Sequence, residues 1–238
     1  MIGKFSYIDF EELFSLSIDD SLIESDYEFQ GRKVPRVTKI LSKMIEEEAI
    51  KMWANKLGFQ RKSYKETLKY YANIGSLVHK AIDNFLDGKE VSLETPDAPF
   101  NSFLKWYGFM NNGFKLEVIG HEETIIGPYC GGTYDLLMKV NDKIFLFDFK
   151  TSSTVTYKYF LQLAAYTQLL RDIKNIHVDG VSIIQLSRTH IEYRDYILNL
   201  AFPEHKQYLD IAERTFSSLL YSYYHILYLE KGFNSEWS

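Results

Sequence analysis

The chain has 238 residues, 46% hydrophobic and 25% charged, the balance of an ordinary globular protein with one sizeable domain, or at most two small ones. Its single cysteine, Cys130, excludes an internal disulfide and any cysteine-rich metal or iron–sulfur site, and suits a reducing compartment. No run of about 18 apolar residues could span a membrane, the N-terminus lacks the pattern of a secretory signal or transit peptide, and the net charge is −5, so the expected location is the cytoplasm, in a cell or a virus-infected host.

The first 26 residues are acidic and irregular, with room for one short helix. Tyr27-Glu28-Phe29-Gln30 reads as a short strand turning at Gly31. Pro35 precedes Thr38, a candidate N-cap for the apolar series Ile40, Leu41, Met44, and the pattern stays helical to about Lys69, with Trp53 on the apolar side. The spacing of Leu77, Val78, Ala81, Ile82, Phe85 and Leu86 predicts an amphipathic helix over 74–86, stopped by Asp87-Gly88. A further helix is predicted over 100–110, closed by Asn111-Asn112-Gly113.

After Lys115 the period becomes strand-like. Residues 116–126, 132–140 and 143–150 read as consecutive strands, followed by a helix over 157–171, strands near 178–186 and 191–198, and a long helix after Pro203. This order predicts an α/β (α+β) layered domain. Its parts are an N-terminal helical region over 1–73, a core over 74–200 and a C-terminal helix over 201–238.

Alternation along Ile144-Phe145-Leu146-Phe147-Asp148-Phe149-Lys150 puts Asp148 and Lys150 on one face and the three phenylalanines on the other. If Asn141-Asp142 is a two-residue hairpin loop, Asp135 falls opposite Asp148 on the same face, with Cβ atoms about 4.5–5.5 Å apart. Two carboxylates that close repel, and a divalent cation between them turns the penalty into a binding site. Hard oxygen ligands favour Mg²⁺, Mn²⁺ or Ca²⁺ over zinc. A three-residue loop would instead leave the acids diagonal, and in either register the alternative reading of the pair is a solvated strand end with a stabilising lysine.

Four blocks now stand in order: Gly75-Ser76-Leu77-Val78-His79, Gly132-Thr133-Tyr134-Asp135, Asp148-Phe149-Lys150-Thr151-Ser152 and Gln162-Leu163-Ala164-Ala165-Tyr166. Together they resemble the RecB-type branch of the PD-(D/E)XK nuclease superfamily. Val34-Pro35-Arg36-Val37-Thr38 is similar to the opening of phage-type and mitochondrial genome-maintenance exonucleases of that branch. The iron–sulfur members are excluded by the lone cysteine. The resemblance implies a restriction-endonuclease-like core, a mixed sheet flanked by helices. It implies a Mg²⁺- or Mn²⁺-dependent deoxyribonuclease, with one or two ions, acting on DNA that is single-stranded or has a free end. The expected setting is replication, recombination or repair in a phage or microbe.

Carried over residue by residue, Asp135 and Asp148 are implied metal ligands with the backbone carbonyl of Phe149, and Lys150 is the implied catalytic lysine. A lysine beside an attacking water can polarise it and offset charge on the transition state. His79 sits just past the edge of its helix's apolar face, either a half-buried boundary residue or, by the resemblance, a metal ligand. A glutamate on the strand before Asp135 is implied as a further ligand; Glu122 is preferred, with Glu123 competing. For Gln162 and Tyr166, i and i+4 on one helix face, the resemblance suggests bracing of the site or contact with the nucleic acid, as for Thr151 and Ser152; periodicity alone reads a helix packing Leu163 and Leu170 inward with polar residues at its margin. Arg61, Lys65 and Lys69 recur at helical spacing and either track phosphates or form a solvated face. Trp53, Trp106 and the tyrosines Tyr221, Tyr223, Tyr224 and Tyr228 are read mainly as core.

The acidic total counts against a nucleic-acid partner, unless the protein carries its own cations and groups its positive side chains on one face. Two alternatives stay open beside the exonuclease: an endonuclease with the same centre, and an inert nucleic-acid-binding module.

Overall fold

From Leu116 onward the computed structural model, which describes residues 20–46 and 48–236, forms a five-stranded sheet. In chain order the elements are β1 (Glu28–Phe29), β2 (Arg32–Lys33), α1 (Val37–Met44), α2 (Glu48–Phe59), α3 (Tyr64–Leu86) and α4 (Asp97–Gly113). Then come β3 (Leu116–Ile126), β4 (Gly131–Val140), β5 (Lys143–Lys150), α5 (Tyr157–Lys174), β6 (Gly180–Leu186), β7 (Tyr193–Asn199) and α6 (Pro203–Glu236). The sheet order is β3-β4-β5-β6-β7, antiparallel throughout except for the parallel pair β5–β6, which α5 connects. A central mixed sheet flanked by helices is the expected α/β layered architecture, consistent with a restriction-endonuclease-like fold.

The hairpin settles its own register. Asn141 and Asp142 both take left-handed backbone, φ 49° and 67°, as a two-residue loop between twisted strands requires. Val140 therefore pairs with Lys143, and the ladder runs inward to Leu136↔Phe147. The three-residue alternative does not occur.

Alternation then divides the core in two. Leu137, Leu146, Val181 and Ile183 pack under α5, α1 and α6, where Leu163, Leu41 and Phe216 are buried. On the other face Phe145, Phe147 and Phe149 meet Val78 and Ile82 of α3 and Phe103 and Trp106 of α4. Trp106 is only 1% exposed, and its ring meets those of Phe147 and Phe149 edge-on at 5.2 and 5.5 Å. Tyr223 and Tyr224 are core as expected; Tyr228 is exposed.

The N-terminal helical region differs from its reading. One continuous pattern to Lys69 is broken into α1, α2 and the first turns of α3. Ser63 caps α3 by accepting the Glu66 N–H, so that helix starts at Tyr64 and runs through the expected boundary at residue 73. Thr38 is not a cap. The extended Pro35-Arg36 segment is bridged to Gly131 at the start of β4, and the helix already begins at Val37. Of the first 26 residues, expected to have room for one short helix, 20–26 are described and hold a single 3₁₀ turn, Asp20–Leu22; residues 1–19 lie outside the described residues.

Arg61, with φ 56°, is the left-handed residue of the turn between α2 and α3. It therefore cannot share a helical stripe with Lys65 and Lys69, which are exposed on α3. Helix α5 is also buried further round than a strip of leucines predicts. Every residue from Leu161 to Leu170 is buried, because α6 covers the side turned away from the sheet. No helix among the described residues is long and apolar enough to cross a membrane.

Candidate active site

At the open end of the β4–β5 hairpin, beyond its last rung, Asp135 and Asp148 face each other as the register requires. Asp135 Oδ2 accepts the backbone N–H of Phe149 at 2.6 Å, so a side chain takes the hydrogen bond where the ladder stops. Strand β3 supplies the third acid. A bulge between Val118 and Gly120 shifts its pairing with β4 by one residue, which brings Glu122 level with Asp135. Glu122 also has φ 46°, a conformation uncommon outside glycine and concentrated at functional sites. Three carboxylates thus stand in a row across β3, β4 and β5.

Helix α3 closes the group from the side. His79 Nδ1 lies 3.2 Å from Glu122 Oε1 and 3.4 Å from Asp135 Oδ1, while its Nε2 is 3.0 Å from the Phe149 carbonyl oxygen. Ligand atoms of His79, Glu122 and Asp135 all fall within 4.8 Å of one another. Lys150 Nζ is 2.8 Å from both oxygens of Asp148. It donates a hydrogen bond to Oδ1, whereas Oδ2, fully buried, receives none and feels only the charge. Glu123, the competing acid, is occupied elsewhere: it accepts the Tyr134 hydroxyl at 2.5 Å and pairs with Lys174.

The electrostatics follow from depth. Burial pushes the Asp148 carboxyl up to about 6; Lys150 pulls against this and the Asp135 charge adds to it. Asp135 is as deeply buried, but His79 and Lys150 outweigh that and hold its pKa below the usual carboxylate value. Burial opposes charge on His79, yet Asp135 and Glu122 prevail, and the imidazole pKa lies well above its ordinary value. Both ring nitrogens face acceptors, as an imidazolium requires. Two cations, His79 and Lys150, thus stand among the three acids.

These residues fit a hard divalent cation. The donors are carboxylate oxygens, one imidazole and one backbone carbonyl, and the buried Asp148 Oδ2 lacks a hydrogen-bond donor. Asp135 and Asp148 lie buried behind Glu122 and Phe149, which line one side of an open cleft of about 630 Å³ whose floor includes Lys150, Thr151 and Ser152. Its opposite wall is a row on α3 at i, i+4 spacing: Tyr71, Gly75, His79, Asp83. The same spacing made Asp83 and Tyr71 visible beside His79 in the sequence, and both were missed there. Asp83 is held by His121 Nδ1 at 2.7 Å. Tyr159, also missed, puts its ring 5.1 Å from Lys150 Nζ and its hydroxyl 3.1 Å from Ser152 Oγ.

Gln162 and Tyr166 stand behind the centre, not in the cleft. Gln162 Nε2 donates to the Tyr166 hydroxyl at 3.2 Å, and the Tyr166 ring packs against Gly132. A Cβ on Gly132 would come within 2.5 Å of that ring. Two of the sequence blocks are therefore two halves of one contact. Arg61, Lys65 and Lys69 do not line the cleft.

No protein-family model matches the chain, and no curated protein matches it. Among solved structures it is similar to SSO0001, at 14% identity and a TM-score of 0.32 over 75% of this chain and 82% of that one. It is also similar to the alkaline exonuclease LHK-Exo from Laribacter hongkongensis, at 10% identity and a TM-score of 0.32 over 84% of this chain and 93% of that one.

Proposed function

We propose that this chain is a Mg²⁺- or Mn²⁺-dependent deoxyribonuclease that hydrolyses phosphodiester bonds from a DNA end. One observation carries the reading: Glu122, Asp135 and Asp148 form a row across three strands, joined by His79 and Lys150, and Glu122, His79 and Lys150 open onto a cleft. An inert binding module has no use for three acids set together beside a buried amine.

Glu122, Asp135, Asp148, His79 and the Phe149 carbonyl would hold the ion. When bound, it supplies positive charge against the phosphate oxygens and makes water more acidic. The chain's own residues do the rest. Asp135 is fixed by the Phe149 N–H on one oxygen, so its other oxygen, turned to His79, is oriented before any ligand arrives. Lys150, held 2.8 Å from Asp148, sets its ammonium where it would orient a water and offset charge on the phosphorus centre. Tyr159 bounds the amine on its other side.

Linear and circular DNA, single- and double-stranded, incubated with Mg²⁺, Mn²⁺ or EDTA beside Asp148→Ala, test the reading. Linear DNA is degraded with either metal and left intact in EDTA or by the variant. Cleavage that persists in EDTA sinks the mechanism, and equal cutting of circles sinks the exonuclease.

Metal binding carries a pH signature. The imidazolium of His79 must lose its proton to serve as a ligand, and its pKa is raised, so proton and metal compete at neutral pH. Metal affinity should fall as the pH drops and rise as the pH climbs through that raised value. His79→Gln should bind Mn²⁺ at least about tenfold more weakly, with a flatter pH profile by calorimetry. An unchanged slope would remove His79 from the ligand set.

A further inference from the structure

The metal cleft does not end at Ser152. Thr151 and Ser152 are also the floor of a second cleft of about 320 Å³, walled by the loop between β6 and β7. That wall carries Arg188 on the loop and Arg194 on the adjoining β7, neither in an ion pair among the described residues, together with one acid, Glu192. Where the clefts meet, the walls touch. The Arg188 guanidinium lies 4.0 Å from the centre of the Tyr71 ring, so a side chain from the α3 wall of one cleft meets one from the β6–β7 wall of the other. Tyr71 is backed by Trp53 at 6.2 Å and by Tyr70 at 5.3 Å, and Trp53 by Tyr64 at 5.5 Å. An aromatic chain thus runs from the α2–α3 hairpin to the mouth of the cleft and ends on an arginine.

We propose that the Tyr71–Arg188 contact is a clasp enclosing one unpaired DNA strand as it passes between the two clefts, which makes a single strand, or a single-stranded tail, the substrate of the site. This rests on the nuclease reading above. Each part suits that occupant. A tyrosine face stacks a base whatever its identity, and a guanidinium binds phosphate in two hydrogen bonds or stacks on a base. Arg194 continues the positive lining beyond the clasp. A paired duplex does not fit through an opening closed by one side-chain contact, whereas a single strand threads it by its end.

The test uses the full chain with Asp148→Asn, so that DNA is bound but not cut, and Tyr71→Cys with Arg188→Cys. The natural chain has one cysteine, Cys130, which is fully buried, so a bismaleimide reaches only the new pair. Before cross-linking, the protein should bind linear and circular single strands alike, and blunt duplex more weakly. After cross-linking, linear strands should still bind, and binding of the circle should be lost. Retained binding of the circle overturns the clasp, since the strand then lies outside it. Loss of both strands overturns it too, because the contact would then plug the seat, and so does equal affinity for blunt duplex throughout. Cleavage by the unaltered chain keeps the two readings apart. If metal-dependent cleavage is absent, the nuclease reading fails; if it is present while the circle still binds, only the clasp fails.

Discussion

Lys150→Ala should leave the chain folded and lower DNA cleavage by at least about 10²–10³-fold, the usual cost of deleting one preorganised charge at a reacting centre. The loss has a second source, in Asp148. Lys150 is what restrains the Asp148 carboxyl, whose burial alone drives it upward and which stands at about 6 with the lysine present. Without the amine its pKa climbs further, and a protonated carboxyl is a poor ligand. The variant should therefore also bind Mn²⁺ weakly at neutral pH and recover affinity as the pH is raised. Breaking a buried ion pair costs about 3–5 kcal/mol when the partner stays charged. Asp148 escapes part of that by taking a proton, so the stability deficit against the natural chain should shrink as the pH falls. Lys150→Arg separates the two effects. It keeps the charge, and so should keep Asp148 ionised and metal affinity near normal. Its planar guanidinium does not replace a compact ammonium, and cleavage should still be impaired. Calorimetry and cleavage rates on the same preparations check both, and Lys150→Ala cleaving at the natural rate would remove the lysine from the chemistry.

The β4–β5 half of this centre was legible in the sequence because two short-range rules fix it. Asn141-Asp142 sets the register of the hairpin, and strict alternation from Ile144 to Lys150 sets the faces. The β3 contribution was not legible to the same degree. A bulge near Ile119 and the positive φ of Glu122 break the alternation, so periodicity cannot choose between Glu122 and Glu123. In the helical region the signal was present but unread: Ser63-x-x-Glu66 is a capping-box spacing, and it marks the start of α3 that a run of helix formers had hidden. The burial of Gln162 and Gln168 was out of reach, since it depends on α6 returning over α5. So was the meeting of Tyr71 with Arg188, which no local pattern encodes.

Gly132→Ala should destabilise the metal-free chain by about 1–3 kcal/mol, the range for overpacking a filled core. The reason is space, not backbone freedom. The added methyl would lie 2.5 Å from Tyr166 Cε1 and 2.8 Å from its hydroxyl oxygen. Tyr166 cannot swing aside, being 3% exposed, bonded to Gln162 and set on a helix buried between sheet and α6. Strand β4 must give instead, and it carries Asp135 three residues on. Cleavage should therefore fall further than stability, since misplacement of a reacting group by about 1 Å costs on the order of 10²-fold. Tyr166→Ala supplies the control. Alone it opens a cavity and costs about 3–5 kcal/mol, by analogy with other large aromatic truncations. In that background the added methyl has room, so Gly132→Ala should become nearly neutral, and the double variant should be more stable than the sum of the single losses predicts by about 1–3 kcal/mol. Urea denaturation of the four proteins measures the coupling. Strict additivity would mean that Gly132 and Tyr166 do not act as one contact.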